Sequence, residues 1–206
     1  MPTPFPELQT RRLLLRPLAM ADASQIQALF PRWEIVRYLN KKVPWPYPPD
    51  GAEHYVRELA LPAMERGEAW HWTLRQKAEP DQMIGMISLL TTEGENRGFW
   101  ISPEWQRQGL MSEACDAVTQ YWFEVLKFPL LRVPKAVANE GSRRISEKQG
   151  CVCLRRKTAT MLAAVCLPRC GKSRLKSGEC GRRNGRNAQR NFSPIQLRRD
   201  KIGFPK

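Results

Sequence analysis

The chain has 206 residues, 42% of them hydrophobic, a length that fits one domain of ordinary size. No apolar run reaches the roughly 18 residues of a membrane span, and the opening MPTPFPELQTRRLLLRPL lacks an apolar signal segment, so the expected location is the cytoplasm and no membrane partner is expected. A net charge of +14 would suit a nucleic-acid binder, but residues 1–150 hold 19 Lys and Arg against 18 Asp and Glu, while residues 151–206 hold 15 against 2.

The elements follow in order. Thr10 to Leu18 reads as a strand ended by Pro17. Asp22 and Ser24 can cap a helix whose Ile26, Leu29 and Phe30 share a face, and Arg32 to Leu39 repeats the helical pattern. Val43 to Pro49 carries four prolines with Trp45 and Tyr47, which excludes helix and central strand. Such a stiff aromatic loop suits either an acceptor pocket or plain surface packing. Asp50 to Arg66 is helical. Ala69 to Arg75 alternates as a strand, Met83 to Leu90 is a buried strand, and a polar turn leads to Gly98-Phe99-Trp100-Ile101.

Ser102-Pro103 ends that last strand, a polar loop runs from Glu104 to Gly109, and a helix follows with Ser112 as its expected N-cap and Glu113 in its first turn. A helix start has unpaired N–H groups and partial positive charge, which suits a phosphate. Leu130 to Ala138 reads as a strand with Pro134 at a bulge or edge. Asn139 to Ser142 is a turn and cap, and a short helix from Arg143 to Gln149 stops at Gly150.

Gln106-Arg107-Gln108-Gly109-Leu110-Met111 resembles the Gln/Arg-x-x-Gly-x-Gly/Ala loop of the GNAT N-acetyltransferases, set between Ile-Ser-Pro-Glu-Trp and Ser-Glu-Ala. Met111 stands where a small residue is usual, and Arg107 where glycine is common. Thr-x-Arg-Leu-x-Leu-Arg-Pro-Leu, from Thr10, resembles the opening of the RimJ/RimL-like branch, and Asn139-x-x-Ser142 with Glu147-Lys148-x-Gly150 resembles its fourth-helix region. The resemblance spans about residues 8–150. It implies an α/β GNAT fold, with a mixed, mostly antiparallel sheet flanked by helices, and acetyl-CoA as co-substrate.

By that resemblance, Gln106, Arg107, Gln108, Gly109, Leu110, Met111 and Ser112 hold the cofactor diphosphate, mainly through backbone groups. Trp100, Ile101, Asn139 and Ser142 contact the rest of the cofactor. Arg143 and Arg144 could meet an adenosine phosphate or form a solvated helix face. The implied reaction is direct attack of a neutral amine on the thioester, with an oxyanion held by a backbone N–H of the Trp100–Ile101 strand, here assigned to Ile101. The acceptor is a small amine or a protein N-terminus. Many relatives carry a tyrosine acid seven residues after the Asn139 position, where this chain has Ser146. His71 and Glu113 are the candidate bases, each with a structural alternative as a strand histidine and a helix-dipole residue. Cys115 reads as helix packing. Oligomeric state has no reading in the sequence.

Composition breaks at Gly150: five of the six cysteines follow it, with most of the excess positive charge. No strand pair is expected there, so residues 1–150 are read as the GNAT domain, incomplete at its end, and 151–206 as a basic, poorly ordered tail replacing the last two strands. Reading permitted codons from Cys151 to Cys180 in a shifted frame yields a strand-like Glu-Val-Trp-Glu-Ile-Thr run similar to this branch's ending. One lost nucleotide near Gly150 would explain the break and would impair stability and activity. Two other readings stand beside the enzyme: an acetyl-CoA binder without turnover, and a zinc or nucleic-acid module on the tail. Cys151-x-Cys153 and Cys166-x3-Cys170 are poorly spaced for zinc, and no metal site is expected.

Overall fold

The computed structural model describes residues 5–39, 43–156 and 161–168, all within one compact unit, Met1–Arg169. Its spine is two eight-residue strands, β3 (Ala69–Gln76) and β4 (Met83–Leu90). With β1 (Leu8–Gln9), β2 (Leu13–Pro17) and β5 (Arg97–Ile101) they form an antiparallel sheet in the order β1-β2-β3-β4-β5.

Both faces of this sheet are covered. On one face Trp70, Trp72 and Leu74 of β3 pack with Leu110, Ala114 and Val118 of α5 (Leu110–Gln120), whose helix continues in a wider turn, Tyr121–Val125. On the other face lie α1 (Ala23–Leu29), α2 (Trp33–Val36), α3 (Gly51–His54) and α4 (Leu61–Glu65), the last two joined by a wide turn, Tyr55–Ala60. Ile26, Phe30, Val36 and Val56 there meet Met83, Met86 and Trp100. So the alternation expected for β3 is present, yet its polar residues are buried too: His71, Thr73 and Arg75 lie under these helices. Arg75 is compensated: its Nη2 donates to Asp22 Oδ1 at 2.5 Å, and its Nη1 to the carbonyls of Asp81 (2.6 Å) and Pro80 (3.2 Å). Asp22 accepts from the Ala19 N–H at 2.9 Å instead of capping α1.

A second sheet holds β6 (Leu131–Arg132), β7 (Lys135–Ala136), β8 (Val152–Arg156) and β9 (Met161–Cys166). Pro134 separates β6 from β7, and both pair with β9, as does β8. The expectation of no strand pair after Gly150 is therefore corrected. Val152–Arg156 and Met161–Cys166 form an antiparallel pair, and β9 also pairs with β7. VCLRR and MLAAVC have weak alternation of their own; existing strands β6 and β7 template β9, whose Ala164 and Cys166 are buried in the core. Cys151 and Cys166 are joined by a disulfide. The rest of the expected tail, 157–160 and 169–206, lies outside the described residues, with Cys170 of the zinc reading.

Candidate active site

The two sheets touch at one end and part at the other. The Asn96 N–H donates to the Arg132 carbonyl at 2.7 Å, and the Arg132 N–H donates to Asn96 Oδ1 at 2.8 Å. Three residues on, Lys135 Nζ lies 4.8 Å from the Phe99 ring centroid. β5 and the β6–β7 segment thus run the same way before separating. A groove of about 580 Å³ opens where they part, with Phe99, Trp100 and Ile101 on one wall and Asn139, Ser142 and Ile145 on the other. The second wall begins at α6 (Glu140–Lys148), capped by Asn139 Oδ1, which accepts from the Ser142 N–H at 3.0 Å.

Strand register aims a donor into this groove. Gly85 faces Ile101 across β4 and β5, and the bond flanking them runs from the Ser102 N–H to the Ile84 carbonyl at 2.9 Å. Gly85–Ile101 is therefore a non-hydrogen-bonded pair, and Ile101 points its own N–H away from β4, off the outer edge of β5. The strands approach so closely here that a Cβ on Gly85 would sit 2.5 Å from the Trp100 carbonyl oxygen.

The loop closes the end of the groove. Gly109 takes a left-handed conformation (φ 78°), which costs glycine little, and it starts α5 directly. The helix thus begins at Leu110, ahead of the expected cap Ser112. Its first bond runs from the Glu113 N–H to the Gly109 carbonyl at 3.1 Å, so the N–H groups of Leu110, Met111 and Ser112 precede the intrahelical ladder. Arg107, Arg144 and Lys148 bring positive charge to the lining.

Ten of the expected site residues line this groove: Trp100, Ile101, Gln106, Arg107, Gly109, Leu110, Met111, Ser112, Asn139 and Ser142. Gln108 does not. Its carbonyl accepts from Arg12 Nη1 at 3.0 Å and its Nε2 donates to the Glu104 carbonyl at 3.1 Å, which holds the loop from behind. Arg144 lines the groove; Arg143 does not.

Glu113 and His71, expected as candidate bases, lie outside the lining of this groove. Glu113 accepts from the Thr10 hydroxyl (2.6 Å), the Arg12 N–H (2.7 Å) and Arg12 Nε (2.8 Å), tying β2 to the helix start. Burial alone would raise its carboxyl, but these donors outweigh burial and hold it below the ordinary range. His71 is 3% exposed, with Nδ1 2.7 Å from Ser88 Oγ and the Tyr55 ring edge-on to it. Burial pulls its pKa down to about 4, so the imidazole is neutral at neutral pH. Ser146, in the tyrosine's place, points into the interior, where its Oγ is buried without a hydrogen-bond partner. The separation of His71 and Glu113 from the groove depends on long-range packing that no local pattern records.

Sequence reasoning missed a further wall. Glu34, Ile35 and Tyr38, in and beyond α2, line the groove opposite the loop. Arg32 and the Ser102 hydroxyl both bond the Glu104 carboxylate, fastening the start of α2 to the exit of β5 and drawing that carboxyl down to about 2. Arg32 and Glu104 are far apart in sequence, so no spacing signals the link.

Residues 12–152 match the family model of the acetyltransferase (GNAT) domain. The chain belongs to the GNAT acetyltransferases. It is 30% identical over 154 residues, 71% of this chain and 82% of the relative, to the uncharacterized N-acetyltransferase YoaA of Bacillus subtilis. Among solved structures it resembles the ribosomal-protein-S5-alanine acetyltransferase of Vibrio fischeri, with a TM-score of 0.67, 16% identity, and 79% and 96% of the two chains covered. It also resembles RimL, a ribosomal L7/L12 alpha-N-protein acetyltransferase solved in complex with coenzyme A, with a TM-score of 0.63, 16% identity, and 79% and 97% covered. GNAT enzymes draw their acetyl group from acetyl-CoA. The residues present fit that molecule: pre-ladder amides and the four basic side chains of the lining, Arg37, Arg107, Arg144 and Lys148, suit a diphosphate, and an edge N–H above a partly apolar groove suits a thioester carbonyl. Among the described residues, no helix is long and apolar enough to cross a membrane.

Proposed function

We propose that this GNAT enzyme transfers the acetyl group of acetyl-CoA to a primary amine by direct attack, and that the acceptor is a protein N-terminus. The outward N–H of Ile101, at the mouth of the splay beside the α5 start, is the observation that carries this reading. The diphosphate rests on the Leu110, Met111 and Ser112 amides, with Arg107 beside them. The thioester carbonyl faces Ile101. A neutral amine attacks that carbonyl carbon, the developing oxyanion accepts from the Ile101 N–H, the C–S bond breaks to release the coenzyme A thiolate, and the proton lost by the attacking nitrogen passes through water to that sulfur.

An α-amino group with a pKa of about 8 is already partly neutral near pH 7, so no strong base is required. A lysine side chain near 10.4 would need far more help. The named substrates of the ribosomal-protein neighbours support the N-terminal acceptor. Release of free thiol from acetyl-CoA, measured over peptides with free or blocked N-termini and over small amines, tests the reading. Turnover only with free N-termini is expected; turnover with small amines alone would overturn the acceptor assignment.

The frame reading of the chain beyond Gly150 stays a proposal of its own. The gene's nucleotide sequence tests it, because codons incompatible with the shifted reading end it.

A further inference from the structure

Behind the groove, between α5, α6, β5 and β7, the interior holds two buried cations, and among the described residues no carboxylate is bonded to either. Arg97 is 2% exposed and Lys135 6%. Arg97 Nη1 donates to neutral acceptors, Thr119 Oγ1 at 2.7 Å and Gln149 Oε1 at 2.7 Å. Its Nε and Nη2 are buried and have no partner among the described residues. Lys135 lies over the face of Phe99, an attraction that an uncharged ring supplies. The Ser146 hydroxyl, one turn before Gln149 on α6, is likewise buried and unpartnered.

The surrounding groups do not neutralise this charge. From α5, Cys115 is a free thiol whose pKa burial pushes up, so it stays protonated near neutral pH. Asp116 is exposed, and its carboxylate accepts from Gln149 Nε2 at 2.9 Å. That bond turns the amide so that Oε1 faces Arg97. Glu95, before β5, is half-buried, and its attraction for the Lys135 ammonium is outweighed by burial. From β9, Leu162 is the cross-strand partner of Lys135 and carries no charge.

The Arg97 Nε and Nη2 and the Ser146 hydroxyl are donors lacking an acceptor among the described residues, with the Lys135 ammonium adding a second buried charge. An unpaired ion in the interior is costly, and an orphaned donor adds its own penalty. We propose that Arg97, Lys135 and Ser146 form an interior anion site that takes one small monovalent anion, a halide or the carboxylate of a short acid such as acetate. Such an anion accepts from the free Arg97 nitrogens and balances Lys135 through the same contact. The site is separate from the groove: none of the three residues lines it.

Thermal unfolding of the full chain at fixed ionic strength tests this, at a pH just below 7 where Lys135 is charged. Sodium gluconate, with an anion too bulky to enclose, is replaced stepwise by sodium chloride in one arm and by sodium acetate in the other. At about 100 times the dissociation constant, mass action predicts a Tm rise of roughly 5–10 °C for a chain this size. A rise with chloride identifies a halide site, and one with acetate a carboxylate site. Lys135→Met should abolish the rise. Leu162→Glu builds a carboxylate opposite Lys135; it should raise Tm in gluconate and remove the response to added anion. The proposal is overturned if the parent chain shows no rise in either arm, if Lys135→Met shows the same rise, or if Leu162→Glu retains it.

Discussion

Arg75 on β3 and Arg97 on β5 are both buried arginines of one sheet, on opposite faces, and they are treated differently. Arg75 meets a carboxylate and two carbonyls, so its charge and its donors are answered together. Among the described residues Arg97 meets a hydroxyl and an amide oxygen, and two of its nitrogens have no partner there. Burial by itself therefore says little about what a charge does. Compensated, it locks α1 to the sheet; uncompensated, it marks a place where something else is needed.

Breaking the satisfied side should have the largest effect. Asp22→Asn leaves Arg75 buried without its counter-ion and is expected to cost about 3–5 kcal/mol, read from the urea midpoint at constant m-value. Arg97→Met should move the other way, since an apolar side chain of similar length removes orphaned donors. We expect it to be neutral or stabilising by up to about 4 kcal/mol in gluconate. A loss as large as that of Asp22→Asn would erase the distinction between the two arginines.

The charge on Lys135 sharpens the contrast through pH. Burial, with Arg97 adding to it, lowers its pKa from the ordinary 10.5 to about 7. The unfolded chain then binds the extra proton between about pH 7 and 10, so stability should rise with pH across that window and be lost as pH falls through it. The slope from this group is up to about 1.4 kcal/mol per pH unit. It should vanish in Lys135→Met and flatten when chloride or acetate fills the site. The smallest effect is expected at the surface: Glu104→Gln frees Arg32 and should leave the urea midpoint almost unchanged. Because it loosens the α2 wall of the groove, it should raise KM for acetyl-CoA while leaving kcat nearly unchanged.

What could be read from sequence was local. The turn from Pro103 to Gly109 and the helix after it are recorded in adjacent residues, so the loop at the end of the groove was legible even though α5 starts before Ser112. The cap made by Asn139 was legible for the same reason. His71 alternates with tryptophans whether or not its face is covered, and only α1–α4 decide that it is buried. β8 and β9 were not legible, because their partners β6 and β7, and not their own pattern, make them strands.

The sequence alone determined the order of strands and helices, the phosphate-type loop and the family, since periodicity, proline and glycine act within a few residues. Tertiary structure decided where β5 parts from the second sheet, that Glu113 ties β2 to α5, and that Arg97 and Lys135 share an interior where, among the described residues, no carboxylate is bonded to them. Those outcomes depend on which side chains meet from distant segments, and the energy of a charge is set by what lies opposite it in space.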